Sequence, residues 1–106
     1  MGGGTAIDGV VEEFTRRLRE QCNVEILIFF GSRAEGRATP ESDYDFVLVS
    51  PDFRGIPFLK RLPDVYEIWE ADAGLDLLCY TPEEYGRLVQ GVTLIRQASE
   101  AGIRLI

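Results

Sequence analysis

The sequence predicts a small α/β domain, and three observations carry that reading. Val11, Phe14, Leu18 and Cys22 recur at the spacing of one helix face. Three short, largely apolar runs follow, at 24–30, 44–50 and 74–80, the first of them almost all apolar and β-branched or aromatic. Residues that cap helices or break strands stand between these runs, so helices and strands alternate along the chain.

Taken in order, residues 8–21 read as an amphipathic helix. Glu12 and Glu13 precede Arg16 and Arg17 by four positions, the favourable order for helix ion pairs, so Arg16, Arg17 and Arg19 read as a solvated face rather than a patch for an acidic partner. Residues 24–30 are almost wholly apolar, as expected of a central strand covered on both faces. Ser32 begins a helical turn ending near Gly36, and Thr39-Pro40-Glu41-Ser42 marks a loop. A second strand covers 44–50 and stops at Pro51. A helix is expected over 57–71 with Leu62, Tyr66 and Trp69 on one face, and Pro63 must kink it or begin a second one. After a third strand at 74–80, Thr81-Pro82-Glu83-Glu84 opens a final helix with an N-cap and a first-turn proline, running toward Gly102. Residues 103–106 read as a short last strand. With no repeat, low-complexity tract or linker, the expectation is one domain over 1–106.

Composition narrows the chemistry. A formal charge of −7 argues against a polynucleotide surface, because phosphate backbones are bound through clustered Lys and Arg. The chain has no histidine, which excludes histidine bases, His-rich zinc sites and Ser-His-Asp triads. Cys22 and Cys79 are isolated in apolar segments and read as reduced thiols rather than a disulfide. No run reaches the ~20 apolar residues of a membrane span. Met1-Gly2-Gly3-Gly4 lacks the basic start and apolar core of a signal peptide, and the acidic neighbourhood opposes myristoylation at Gly2. A cytoplasmic location is expected.

The chemistry concentrates in one stretch. Gly31-Ser32 lies where a strand gives way to a helix, and N–H groups at a helix start bind phosphate. Alternatively, Ser32 only caps the turn and Gly31 only permits its geometry. Asp43 and Asp45 follow ten residues later and share one strand face. Two such carboxylates repel, which raises one pKa or recruits a cation. Mg²⁺ suits them, being held by one or two carboxylates plus substrate phosphates. Asp76, alone among apolar residues in Leu75-Asp76-Leu77-Leu78-Cys79, is either a buried hydrogen-bonded group or the third site carboxylate. As the third, it would help bind two Mg²⁺ ions about 3.5–4 Å apart and take the proton of an acceptor hydroxyl.

Together, Gly31-Ser32-Arg33-Ala34-Glu35-Gly36-Arg37-Ala38, then Ser42-Asp43-Tyr44-Asp45-Phe46, then Asp76 resemble the minimal nucleotidyltransferase family of the DNA polymerase beta superfamily. Gly55-Ile56-Pro57-Phe58-Leu59 and Tyr80-Thr81-Pro82-Glu83-Glu84-Tyr85 are similar in flavour. The resemblance implies a mixed sheet with helices packed on one face, and transfer of a nucleoside monophosphate from ATP or another NTP with release of pyrophosphate. It implies that Gly31 and Ser32 hold the β/γ-phosphates, that Asp43, Asp45 and Asp76 ligate metal, and that Asp76 assists deprotonation. Arg33 and Arg37 either neutralise phosphate or form surface ion pairs. Many small members resemble antitoxins that modify a tyrosine of a HEPN-domain ribonuclease toxin, which makes a HEPN-type protein the expected acceptor. A chain this short is expected to rely on the acceptor's own recognition surface. Homo-oligomerisation is open.

Other classes fit less well. A binding module that masks a partner would not need the acidic triad. Aminoglycoside nucleotidyltransferases carry an added helical domain. A glycosyltransferase Asp-x-Asp motif leaves Gly31-Ser32 and Asp76 unexplained, and no Lys-Ser or Lys-Thr follows Gly36 to make a P-loop.

Overall fold

The computed structural model describes residues 7–106, so the Met1-Gly2-Gly3-Gly4 lead lies outside the described residues. The elements are α1 (Gly9–Gln21), β1 (Ile26–Phe30), α2 (Gly31–Ala34), β2 (Tyr44–Val49), α3 (Leu62–Tyr66), β3 (Leu75–Tyr80), α4 (Pro82–Leu88), α5 (Leu94–Ala101) and β4 (Ile103–Arg104). Two 3-10 turns, Pro51–Phe53 and Phe58–Arg61, connect β2 to α3. The sheet order is β3-β2-β1-β4. β1 runs antiparallel to β2 and β4, while β2 and β3 are parallel, giving the mixed sheet that the family resemblance implies.

Local chemistry explains most element boundaries. Asp8 caps α1 by accepting from the Val11 N–H at 3.0 Å. Glu13, rather than the Glu12/Glu13 pair, takes both Arg16 and Arg17, at 2.6 and 2.9 Å, and Arg17 also reaches Glu70. Pro63 lies in the first turn of α3, where its missing N–H does no harm, so it starts a second helix instead of kinking one. The single final helix expected from Thr81 to Gly102 is in fact two. α4 ends at Leu88, and Thr93 recaps the chain by accepting from the Arg96 N–H and donating to the Leu88 carbonyl. Gly91 and Thr93 supply the stop and restart.

Period-two alternation sorts the strand residues between two cores. Leu27, Phe29, Tyr44, Phe46, Leu48, Leu77 and Cys79 pack with Val11, Phe14 and Leu18 of α1 and Val65 of α3. Ile28, Val47 and Val49 pack on the opposite side with Ile95 and Ala98 of α5, joined by Tyr85 and Leu88 of α4. The expectation of helices on one face therefore needs extending. Apart from Asp45, β1 and β2 are apolar and leave no polar face to expose, so α4 and α5 cover the second side. Cys22 and Cys79 are free thiols, and burial pushes the Cys79 thiol up to about 12.

One buried charge fastens these parts together. Arg61, only 6% exposed, donates to the Ile56 carbonyl at 2.8 Å, to the Cys79 carbonyl at 3.1 Å, and to both Glu84 oxygens at 2.6 and 3.1 Å. Glu84 also accepts from the Thr81 N–H in a capping box. The 3-10 turn, β3 and the start of α4 thus meet at one guanidinium. Arg61→Ala should lower the unfolding free energy by about 1–3 kcal/mol in urea titrations, because it leaves the Ile56 and Cys79 carbonyls and part-exposed Glu84 without their donor.

Candidate active site

Strand orientation assembles the site. Because β1 and β2 are antiparallel, the end of β1 lies beside the start of β2, with Phe30 opposite Asp45. Because β2 and β3 are parallel, their starts coincide, with Asp45 opposite Asp76. Asp43, Asp45 and Asp76 share one strand parity and hence one face, the face that carries Ile28 and Val47. Asp45 is partly buried, whereas Asp43 and Asp76 are exposed. The buried alternative for Asp76 is thereby set aside. β3 is an edge strand, and helical cover on this face begins only at Leu78 and Tyr80.

Close packing brings the carboxylates near glycine backbones. Gly31 has φ +84°, a left-handed conformation suited to glycine. A Cβ there would also lie 2.9 Å from the Asp45 Cγ. Gly31 turns the chain directly out of β1 into α2, which has no side-chain cap. The alternative in which Ser32 caps this turn is not seen. Among the described residues its hydroxyl makes no hydrogen bond, so it is free for a ligand.

The two arginines of the motif are committed elsewhere. Arg33 donates to the Ser42 carbonyl at 2.9 Å, reaches the Thr39 and Pro40 carbonyls at 3.5 Å, and lies 4.2 Å over the Tyr44 ring. The Tyr44 hydroxyl in turn donates to Asp8 at 2.6 Å. Arg33 therefore clamps the loop that returns the chain into β2. Arg37 pairs with Glu35 at 2.9 Å on the surface.

Electrostatics at the site are unbalanced. Burial first, then the charges of Asp76 and Asp43, raise the Asp45 carboxyl to about 6. Among the described residues no Lys or Arg forms an ion pair with any of the three. No three His, Cys, Asp or Glu side chains stand there as a ready-made metal cage either. The donor set still fits Mg²⁺ in its chemistry: hard oxygens, mutual repulsion that a cation would relieve, and room for phosphate and water to complete coordination.

Two neighbours escaped the sequence reading. Gly74, opposite Asp43, carries no side chain to attract notice. Tyr66 donates its hydroxyl to the Leu75 carbonyl at 3.0 Å, and burial followed by the Asp76 charge raises its pKa. Nothing in the helical spacing at Tyr66 pointed to the site. A cavity of about 320 Å³ adjoins Gly31, walled by Phe30, Ala34, Leu94, Ala98 and Gly102.

Comparison with known proteins gives two kinds of likeness. The profile of the nucleotidyltransferase domain family matches residues 10–103. A candidate nucleotidyltransferase from Sulfolobus solfataricus, solved as a crystal structure, superposes with a TM-score of 0.55 at 22% identity, covering 81% of this chain and 82% of that one. BolA1 from Arabidopsis thaliana superposes at 0.59 with 20% identity, covering 74% and 98%. At such identities the two structures speak for the fold alone. No curated protein matches the sequence.

The raised Asp45 pKa has a definite sign. The folded state holds this proton more tightly than the unfolded state, so stability from this group is full below about pH 4 and is lost as pH rises through about 6. Asp45→Asn should therefore melt higher than the natural protein at pH 7.5 by a few degrees, with the difference vanishing toward pH 4. Thermal unfolding across that range, without divalent ions, measures it.

Proposed function

The chain belongs to the nucleotidyltransferase domain family, and on that premise we propose that it moves a nucleoside monophosphate, AMP from ATP, onto a hydroxyl of a partner protein. The observation that carries the reading is the convergence of Asp43, Asp45 and Asp76 on one face at adjoining strand starts, with no Lys or Arg among the described residues forming an ion pair with them. The free Ser32 hydroxyl donates to a phosphate oxygen, and Gly31 lets the phosphate approach the main chain. Exposed Asp76 accepts the proton of the acceptor hydroxyl. The acceptor oxygen then bonds to the α-phosphorus as the bond to pyrophosphate breaks. Mg²⁺, two ions in this reading, would be held by the three carboxylates and would supply charge neutralisation at the attacking and leaving oxygens.

The acceptor in this reading is a HEPN-type ribonuclease toxin, neutralised in the cytoplasm by modification. No described helix is long and apolar enough to cross a membrane. Incubation with ATP labelled at the α-phosphate, Mg²⁺ and the product of the neighbouring gene should label that partner. Asp43→Asn and Asp76→Asn should each reduce labelling by about a hundred- to a thousandfold, taking the loss of oriented charge stabilisation as a guide. Unlabelled partner with every nucleotide would sink the proposal.

A second reading draws on the commitment of Arg33 and Arg37 to the protein itself: a module that masks its partner stoichiometrically. If the two Asn variants still neutralise the partner fully, binding is the function.

A further inference from the structure

The side chain of Asp43 leans across from the start of β2 onto β3. A Cβ on Gly74 would lie 2.9 Å from the Asp43 Cγ and closer still to Oδ1, against about 3.5–4.0 Å for ordinary carbon contacts. The three atoms nearest that position all belong to Asp43. Gly74 cannot withdraw, because its carbonyl accepts the Tyr44 N–H at 2.9 Å and continues the β2–β3 ladder. Positions 74 and 76 share a strand face, so any side chain at 74 would project into the carboxylate group.

Other reasons for a glycine are missing here. The left-handed glycines among the described residues are Gly31, Gly36 and Gly55, so the backbone at 74 is one that alanine can adopt. The residue is also exposed. What the missing side chain provides is space, and Asp43 fills it.

We propose that Gly74 is a positioning residue of the transfer site, its lack of a side chain setting how closely Asp43 approaches the strand that carries Asp76. The inference rests on the nucleotidyl-transfer reading, since it assigns Gly74 a part in gathering cation ligands. With a Cβ at position 74, exposed Asp43 swings out to solvent at little cost to the fold, and the carboxylates separate.

The test titrates Mn²⁺ alone, followed by the EPR signal of the free ion, into the natural protein, Gly74→Ala, Asp43→Ala and the double variant, with thermal melting of each. The expected result is roughly tenfold weaker Mn²⁺ binding in Gly74→Ala, the usual effect of disturbing a ligand's support, with melting close to natural. Added to Asp43→Ala, the same change should alter neither affinity nor melting. Gly74→Ala binding Mn²⁺ as tightly as the natural protein overturns the proposal, as does an equal loss in the Asp43→Ala background. If Gly74→Ala alone fails to fold, a double variant that folds traces the fault to Asp43 and sustains the proposal, while misfolding in both backgrounds defeats it. A natural protein that binds no Mn²⁺ gives a different signature, and defeats the transfer reading itself along with this one.

Discussion

The pairing of β2, antiparallel to one neighbour and parallel to the other, is the constraint on which the rest of the molecule depends. Antiparallel pairing sets the end of β1 beside the start of β2, and parallel pairing sets the start of β3 beside the same point. Reversing either orientation would send Gly31 or Asp76 to the far end of the sheet. The parallel pair needs a crossover, made here by two 3-10 turns and α3. Arg61 ties that crossover to β3 and α4. An ion pair between buried Arg61 and part-exposed Glu84, outside the group of three aspartates, therefore helps to hold the geometry in which they meet.

The charges follow the same division of labour. Arg17, Arg54 and Arg61 are engaged with Glu13 and Glu70, Glu83, and Glu84, and Arg33 with loop carbonyls. Cations thus secure the scaffold, and the aspartates at the strand starts are left with each other. In a chain of net charge −7, a polyanionic ligand meets an adverse field unless it arrives with its own counter-ions.

Residues with a strong local signature were legible in the sequence. Val11, Phe14 and Leu18 mark α1, and alternation along 43–46 places Asp43 and Asp45 on one face. Gly31-Ser32 and Asp76 took their places through the family pattern. What could not be read depends on tertiary choice. A guanidinium can bind a phosphate or a carbonyl, and nothing in Arg33's neighbours in sequence decides between them. The break at Gly91 and Thr93 was masked by continuing apolar spacing. Asp76 sits in an apolar run yet lies exposed, because the edge position of β3 is a property of topology. Gly74 acts through an absence, which periodicity cannot register.

The outer edge of β3 has a consequence for association. An edge strand ordinarily offers unpaired carbonyls to any passing chain. Here the Tyr66 hydroxyl occupies the Leu75 carbonyl and the Arg61 guanidinium occupies that of Cys79, near the two ends of the strand. A foreign strand would have to displace both before it could zip on. Sheet extension at this border is thereby discouraged, in fibrils as in dimers, and a companion molecule is steered to side-chain surfaces instead of the backbone rim.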